Sequence, residues 1–307
     1  MERPYILHMF TPGRQISPFD VNMAADAGYQ IIVPYAGVEL DGIAAMTQDA
    51  IFSRGPKGVS RTGIFIGGRD ALLAADMLQR CKESMVKPFV VSAMADPSGA
   101  YTTAAAMLAC VEAAWRRLSG GAQGATGLQK LNVVVLGGTG PVGRVAGVLA
   151  AQAGAKVALT SRHGVAAAEA AANDTAARFG VVMHGLSTAT PEELHRTIAG
   201  ADVLLGCAAA GVQVMSAADL AFAKRLKVAA DLNAVPPEGI AGIGVMDNEK
   251  PLGSLGAVGI GALTIGNVKY QTQHRLLLRM MQAEKAQHIG FAEAHAMALE
   301  VLAEKAA

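Results

Sequence analysis

The stretch that decides the fold is "LNVVVLGGTGPVGR", residues 131–144. An apolar run typical of a buried strand leads directly into the pattern G-x-G-x-x-G, made by Gly138, Gly140 and Gly143, and Pro141 stands where a helix would begin. The run "GAKVALTSR" (154–162) follows as the next strand. This order of strand, glycine loop, helix and strand predicts a nucleotide-binding unit with a doubly wound, mainly parallel sheet.

Each residue type in the glycine loop has a physical task in binding a dinucleotide. Gly138 is expected to permit the tight turn, Gly140 to let the backbone approach a pyrophosphate, and Gly143 to let the helix pack closely on the strand. The N-terminus of the helix presents free amide groups and a partial positive charge to the phosphates. The predicted cofactor-binding set therefore also includes Thr139, Pro141 and Val142. The alternative is a glycine turn with a purely structural role.

The second strand ends without the acid that dinucleotide-binding units usually carry there. That Asp or Glu hydrogen-bonds the ribose 2′-hydroxyl and repels a 2′-phosphate. In "KVALTSRHG" (156–164) Ser161 stands in its place, followed by Arg162 and His163. Arg162 is the candidate partner of a 2′-phosphate, Ser161 can donate a hydroxyl hydrogen bond, and His163 is a weaker helper. We therefore expect the cofactor to be NADP, with NAD also accepted; the alternative is a solvated arginine on a loop.

Strand and helix patterns alternate on both sides of this stretch. The first third contains the β-rich runs "YILHMF", "YQIIVPY", "GIFIGG" and "KPFVVSAM", separated by helical patterns. Further strand patterns follow the glycine loop in "KVALTSR", "VVMHGLS", "ADVLLGC" and "KVAADLN", and "GAVGIG" (256–261) offers a sixth strand. This alternation is typical of βαβ units and predicts the α/β class.

The length supports two domains. We expect an N-terminal α/β substrate domain (1–127), completed by C-terminal helices (267–307) that pack back on it, and a Rossmann-type domain (128–266). A flexible connection is predicted at Ser119–Gly127, because glycine and small residues dominate there. The ligand cleft would lie between the two domains.

Composition limits the function classes. The 307 residues carry a net charge of +1, which provides no field for nucleic acid or an anionic membrane surface. The three cysteines are far apart without metal or redox spacing, and no segment is apolar enough for a membrane span. We therefore expect a cytoplasmic protein without a bound metal. The low charged fraction of 17% agrees with buried subunit surface, and hence with a homo-oligomer.

Motifs outside the glycine loop carry a resemblance. "SPFDVNMAADAG", "SRGPKGVSRTGIFIGG", "DPSGAYTTAAA", "DLNAVPPEGI" and "GALTIGNVKYQTQHR" occur in an order that resembles the bacterial methylene-tetrahydromethanopterin dehydrogenases of one-carbon metabolism, in their NAD(P)-using branch. The resemblance implies hydride transfer from the methylene carbon of the pterin to NAD(P)+, in formaldehyde oxidation. No proton moves in that step, so no general base is required. Two alternatives remain open: a methylene-tetrahydrofolate dehydrogenase, and an NADP-binding redox sensor without enzymatic activity.

The family pattern also points to individual residues. It implies catalytic roles for Asp20, at the start of the first helix, and for Lys269, where the last helical region begins; the alternatives are a helix N-cap and an exposed lysine. Position indicates further candidates. The loop "DPSGAYTT" ends a strand and opens a helix, and its small hydroxyls and free amides could line the pterin pocket; an ordinary capping role is the alternative. Residues that follow two later strands, on the ligand side of the sheet, could reach the nicotinamide end. The residues concerned are Asp96, Ser98, Thr102 and Thr103 for the pterin, and Ala208 and Asn233 for the nicotinamide.

Overall fold

The computed structural model describes residues 3–55, 57–120, 127–253 and 256–306. The chain divides into two compact units. The first contains Met1–Thr102 and Tyr270–Ala298, and the second contains Thr103–Lys269 and Leu299–Ala307. The segment Tyr270–Ala298 thus belongs to the same unit as the N-terminal region, whereas Leu299–Ala307 belongs to the second unit. Most of the predicted connection Ser119–Gly127 lies outside the described residues.

The elements alternate between strands and helices in both units. In chain order the strands are β1 (Ile6–Phe10), β2 (Ile31–Tyr35), β3 (Thr62–Ile66), β4 (Ser92–Ala95), β5 (Asn132–Leu136), β6 (Lys156–Ser161), β7 (Met183–Ser187), β8 (Val203–Gly206), β9 (Val228–Asp231), β10 (Asn248–Leu252), β11 (Ala257–Ile260) and β12 (His288–Ile289). The α-helices are α1 (Pro18–Asp26), α2 (Ile43–Phe52), α3 (Ala71–Glu83), α4 (Ala100–Leu118), α5 (Pro141–Gln152), α6 (Val165–Phe179), α7 (Pro191–Ile198), α8 (Ala262–Gln282) and α9 (Phe291–Ala306).

The first unit is built on a parallel sheet in the order β12-β4-β3-β1-β2. β3, with the sequence TGIFI, is buried along its whole length, as expected for a parallel strand covered on both faces. β1 pairs with β2 on one side and with β3 on the other, so the strand order reverses between β1 and β3. The loops after these two strands therefore leave a crevice at the carboxyl edge of the sheet.

The second unit contains the predicted doubly wound sheet. Its order is β10-β11-β9-β8-β5-β6-β7, parallel throughout except that β10 runs antiparallel to β11. Counted from the glycine loop, the parallel strands lie in the order 3-2-1-4-5-6, which is the Rossmann arrangement. The sixth strand offered by "GAVGIG" is present as β11. The strand order reverses between β5 and β8, so a ligand crevice is expected beyond their carboxyl ends.

Two strands and one helix boundary differ from what the sequence patterns predict. The edge strand β10 and the two-residue strand β12 were not predicted. α8 begins at Ala262, earlier than the start that the helical pattern indicates at residue 267. Short strands give no periodicity, and a helix that starts with small residues such as Ala262 and Gly266 carries a weak propensity signal. None of the described helices is both long and apolar enough to cross a bilayer.

Candidate active site

The second unit has a cavity of about 230 Å³ at the carboxyl ends of β5, β6 and β8. This is the crevice expected where the strand order reverses. Many of the predicted cofactor-binding residues meet there, although they come from three separate loops. The cavity is lined by Leu136, Gly137, Thr139, Gly140, Thr160, Ser161, Arg162, His163, Thr188, Cys207, Ala208, Ala209, Val212 and Val214.

The glycines of the loop divide their tasks differently from the prediction. The tight turn is made by Gly137, whose φ of 73° favours glycine, and not by Gly138. Gly138 instead packs against β6, because a Cβ on it would lie 2.9 Å from the Cα of Leu159. Gly143 lets α5 approach the glycine loop closely, since a Cβ there would lie 2.8 Å from the carbonyl oxygen of Gly137. The nearest atom to a Cβ on Gly140 is 3.6 Å away, so this position is open.

The N-terminus of α5 faces this loop with free donors. Gly140 is the N-cap and provides no side-chain hydrogen bond, and Pro141 occupies the first turn without a backbone N–H. The amide groups of Val142 and Gly143, in the same turn, have no acceptor within the helix. Together with the dipole of α5, they form a site for an anion. The open position at Gly140 and these free amides fit the pyrophosphate of NAD(P).

The ribose end of the cavity is arranged by Ser161. This residue ends β6, is buried, and accepts a hydrogen bond from the backbone N–H of His163 at its Oγ, at 3.1 Å. The resulting turn leaves the Arg162 and His163 side chains exposed on the cavity. Among the described residues that line the cavity, none is a carboxylate. A 2′-phosphate would therefore meet one arginine and no repelling charge, which fits NADP.

Thr160 is a cavity residue that the sequence interpretation missed. It is fully buried, and its Oγ1 has no hydrogen-bond partner among the described residues. Leaving a buried hydroxyl without a partner costs free energy, and such groups are uncommon in native structures. In the sequence, the only signal for Thr160 was that it precedes Ser161, which stands where an Asp or Glu is usual. Threonine near the end of a strand is too common to indicate a role.

At the opposite end, Ala208 lines the cavity, and its place beside the nicotinamide ribose stays a prediction. Its neighbour Cys207 packs its Sγ 3.7 Å from the Sδ of Met107. Burial, and then the charge of Asp231, raise the pKa of the Cys207 thiol far above its ordinary value. The thiol is therefore neutral and packs as a small apolar group.

Asn233 does not line this cavity. Its Oδ1 accepts hydrogen bonds from the N–H groups of Gly211 and Val235, and its Nδ2 donates to the carbonyl of Pro237. The side chain thus joins the loops that follow β8 and β9. Asp231, at the end of β9, accepts hydrogen bonds from the N–H groups of Asn233 and Ile240 in the loop after β9, and burial raises its pKa. Contact of Asn233 with the nicotinamide stays a prediction, and the loop contacts already account for this side chain.

The first unit has a cavity of about 740 Å³ at the carboxyl edge of its own sheet. The residues come from the loops after β1, β3 and β4 and from the start of α1. They include two of the predicted site residues, Asp20 and Ser98. The full lining is Thr11, Pro12, Gly13, Arg14, Gln15, Ser17, Pro18, Asp20, Gly68, Arg69, Asp70 and Ser98.

Asp20 forms part of the floor of this cavity. Ser17 is the N-cap of α1, so the alternative of Asp20 as the cap is wrong; Asp20 lies inside the first turn. Its side chain is only 3% exposed, and its Oδ1 accepts a hydrogen bond from Nε2 of Gln273 on α8 at 2.8 Å. The positive end of the α1 dipole stabilises a carboxylate in that turn. Gln273 was not predicted, because it lies 253 residues away in the chain.

The loop "DPSGAYTT" separates into one cavity residue and a buried cap. Ser98 adopts a φ of 51°, and its Oγ donates to the carbonyl oxygen of Gly68 at 2.8 Å. Asp96 is fully buried and accepts hydrogen bonds from the N–H of Tyr101, the N–H of Thr102 and the Thr102 hydroxyl. Asp96 thus caps the start of α4. Asp96, Thr102 and Thr103 do not line the cavity.

Lys269 lies in the second turn of α8 and is partly buried. Gln273 follows it by four residues and therefore shares its face of the helix. The role predicted for Lys269 in orienting the substrate or setting the local charge stays a prediction.

Within the described residues, no group of three or more His, Cys, Asp or Glu side chains could hold a metal ion.

Comparison with known proteins agrees with this arrangement. A profile for methylene-tetrahydromethanopterin dehydrogenase, N-terminal, matches residues 18–98. The NAD(P)-dependent methylenetetrahydromethanopterin dehydrogenase of Methylorubrum extorquens is 45% identical, over 96% of this chain and 98% of its own. The bifunctional protein MdtA of the same organism is 32% identical, over 91% and 93%.

Solved structures with low identity show the same fold. The 5-ketofructose reductase of Gluconobacter sp. has a TM-score of 0.52 at 15% identity, covering 97% of this chain and 99% of that one. The ornithine carbamoyltransferase of Pyrococcus furiosus has a TM-score of 0.51 at 14% identity, covering 92% and 86%. These two relate the architecture alone, whereas the 45% identity extends through both units. The chain therefore belongs to the family of NAD(P)-dependent methylene-tetrahydromethanopterin dehydrogenases.

Proposed function

We propose that the protein oxidises N5,N10-methylene-tetrahydromethanopterin to its methenyl form with NADP or NAD. The observation that carries the proposal is the near-full-length relation to a dehydrogenase of that name, in a chain whose second unit fits NAD(P). Bound NAD(P)+ supplies the acceptor for a hydride from the methylene carbon. The two nitrogens that flank this carbon share the resulting positive charge. The residues therefore need to bind, orient and tune charge, and need not move a proton.

In this proposal each cavity holds one reactant. The free amides of Val142 and Gly143 hold the pyrophosphate, Arg162 pairs with the 2′-phosphate, and Ala208 leaves space for the nicotinamide ribose. In the first unit, the Asp20 carboxylate accepts hydrogen bonds from the N–H groups of the pterin and favours the developing cation. Ser98 contributes a polar contact from the wall of that cavity, and Lys269 orients the substrate.

We assign the pterin to a domain formed by residues 1–127 and completed by 267–307, and the cofactor to a domain formed by residues 128–266. We also propose a cytoplasmic homo-oligomer without nucleic-acid partners, which the net charge of +1 and the 17% charged fraction support. Light scattering on the purified protein tests the assembly. A single monomer mass at micromolar concentration would remove that part of the proposal.

The activity test compares two carriers. Purified protein is mixed with methylene-tetrahydromethanopterin or methylene-tetrahydrofolate and with NADP+ or NAD+, and the absorbance of the reduced nicotinamide is followed. We expect reduction of both cofactors with the methanopterin carrier. Turnover with the folate carrier alone would support the folate alternative. Binding of NADP without turnover of either carrier would leave the redox sensor and refute the dehydrogenase.

The pterin-side roles are tested with matched substitutions. Asp20→Asn should lower kcat/KM for the pterin about 10- to 100-fold, the value of a hydrogen bond to a charged group, without changing NADP affinity. Asp26→Asn, an exposed acid at the end of the same helix, is the control. Lys269→Ala should lower kcat more than it raises the KM for NADP. An unchanged kcat/KM for the pterin in Asp20→Asn, or an unchanged kcat in Lys269→Ala, would remove that residue from the site.

A further inference from the structure

Arg144 is placed where its charge is unfavourable. It lies at the end of the first turn of α5, four residues after the N-cap Gly140. The helix dipole makes this end positive, so a cation here is normally avoided. The Arg144 side chain is partly buried, which adds to the cost of keeping the charge there. Some other interaction must therefore compensate for an arginine at this position.

The guanidinium joins the phosphate loop to the next helix. Its Nε donates to the carbonyl oxygen of Thr139 at 3.1 Å, and its Nη1 donates to the Thr175 hydroxyl at 3.1 Å and to the Ala171 carbonyl at 3.4 Å. Thr175 is fully buried in α6 and itself donates to the Ala171 carbonyl at 2.7 Å. The Thr175 hydroxyl is therefore held in one position. Because Arg144 bonds both this hydroxyl and the Thr139 carbonyl, it restrains the carbonyl relative to α6.

The peptide group between Thr139 and Gly140 is held on both sides. The Arg144 guanidinium donates to the carbonyl oxygen of Thr139. The N–H of Gly140 donates to the carbonyl oxygen of Gly137 at 3.3 Å. This peptide immediately precedes the free amides of Val142 and Gly143. Its orientation therefore determines where the loop ends and where the first free donors of α5 begin.

No carboxylate pairs with Arg144 among the described residues. Its side chain also does not line the cavity beside the loop. The charge thus lies behind the phosphate site, adds to the positive end of the α5 dipole, and finds no anion within the described chain. An anionic ligand at the loop would compensate for the charge of Arg144 and for the positive end of the α5 dipole, without touching Arg144 itself.

We propose that Arg144 is a positioning residue for the cofactor pyrophosphate, acting through the carbonyl of Thr139. This inference rests on the proposed cofactor binding and deepens it. The pyrophosphate is common to NAD and NADP, so Arg144 sets the affinity for both cofactors by the same factor. Arg162 acts on the 2′-phosphate alone and sets the preference between them.

The experiment measures binding without the pterin or the nicotinamide. ADP-ribose and 2′-phospho-ADP-ribose are titrated calorimetrically into the unmodified protein and into Arg144→Met, which keeps an unbranched chain about as long as the aliphatic part of arginine but loses the donors and the charge. We expect the Kd of both probes to rise by the same factor, about tenfold. Thr175→Val, which removes the hydroxyl that anchors Arg144 on α6 and leaves the Ala171 carbonyl, should raise both Kd values about threefold. In steady-state kinetics the KM of both cofactors should rise, with kcat little changed.

Conservative and remote substitutions separate positioning from general destabilisation. Arg144→Lys keeps the charge but cannot bond Thr139 and Thr175 together, so it should rescue less than half of the lost affinity on a logarithmic scale. Arg116→Met, an exposed arginine of α4, should leave both Kd values unchanged. Full rescue by lysine, or a loss confined to the 2′-phosphorylated probe, would overturn the proposal. Failure of the unmodified protein to bind either probe would refute the cofactor site as well, whereas binding unaffected by Arg144→Met refutes positioning alone.

Discussion

Two glycines of the same loop should respond in opposite ways to the same substitution. In Gly143→Ala the new methyl group would lie 2.8 Å from both the carbonyl oxygen of Gly137 and the Cα of Gly138. Both are backbone atoms and cannot rotate away, so α5 must move from the strand. In Gly140→Ala the nearest atom is 3.6 Å away, which is ordinary van der Waals contact.

The expected energies follow from these contacts. Overpacking at Gly143 costs about 1–3 kcal/mol. The lower entropy of the unfolded chain with alanine offsets about 0.4–1 kcal/mol. The net loss is then between about 0 and 2.6 kcal/mol, with a central value of about 1.3 kcal/mol, which corresponds to a Tm lower by about 3–5 °C for a unit of this size. At Gly140 the same entropic gain roughly cancels the poorer N-cap, so stability should change by less than about 0.5 kcal/mol.

For cofactor affinity, in contrast to stability, we expect a large effect from Gly140→Ala. The methyl group of Gly140→Ala occupies the space through which a pyrophosphate approaches the loop, which should weaken binding by about 1–3 kcal/mol, or about 5- to 150-fold in Kd. Thermal unfolding and calorimetric titration with NADP measure both quantities on each variant. A Tm that falls as far in Gly140→Ala as in Gly143→Ala, or NADP binding unchanged in Gly140→Ala, would refute the assignment of the open position to the phosphate.

Two further predictions concern charge. Arg162→Ala should raise the KM for NADP about tenfold and leave the KM for NAD nearly unchanged, because only NADP carries a 2′-phosphate; equal changes in parallel kinetic assays would contradict the assignment. For His288 in β12, burial and then the charge of Lys82 lower the pKa below its ordinary value. The unfolded chain therefore binds more protons than the folded chain between the lowered pKa and about 6.5, so the free energy of unfolding falls as the pH drops through that window. His288→Gln should flatten this dependence in thermal unfolding measured between about pH 5 and pH 8, and an unchanged slope would contradict it.

The doubly wound sheet was predictable because local patterns and the global fold agree. Val133, Val134 and Val135 form a β-branched run that is buried on both faces, which is typical of a central parallel strand. The glycine loop and the proline after it indicate a turn followed by the start of a helix. The alternation of strands and helices fixed the class of the first unit in the same way. β12 was not predictable, since its two residues pair with a strand almost 200 positions earlier and have no pattern of their own.

Candidate site residues were harder to identify than elements, because ligand binding and capping use the same side chains. Asp96 and Asp20 both lie near the start of a helix, and the sequence treats them alike. In the structure, Asp96 directs its carboxylate to two backbone N–H groups and a hydroxyl, whereas Asp20 contacts Gln273 and lines a cavity. The partners of Asp96 lie five and six residues further along the chain, whereas Gln273 lies 253 residues from Asp20. The contact of Asp20 is therefore a tertiary one, which the sequence around this residue does not reveal.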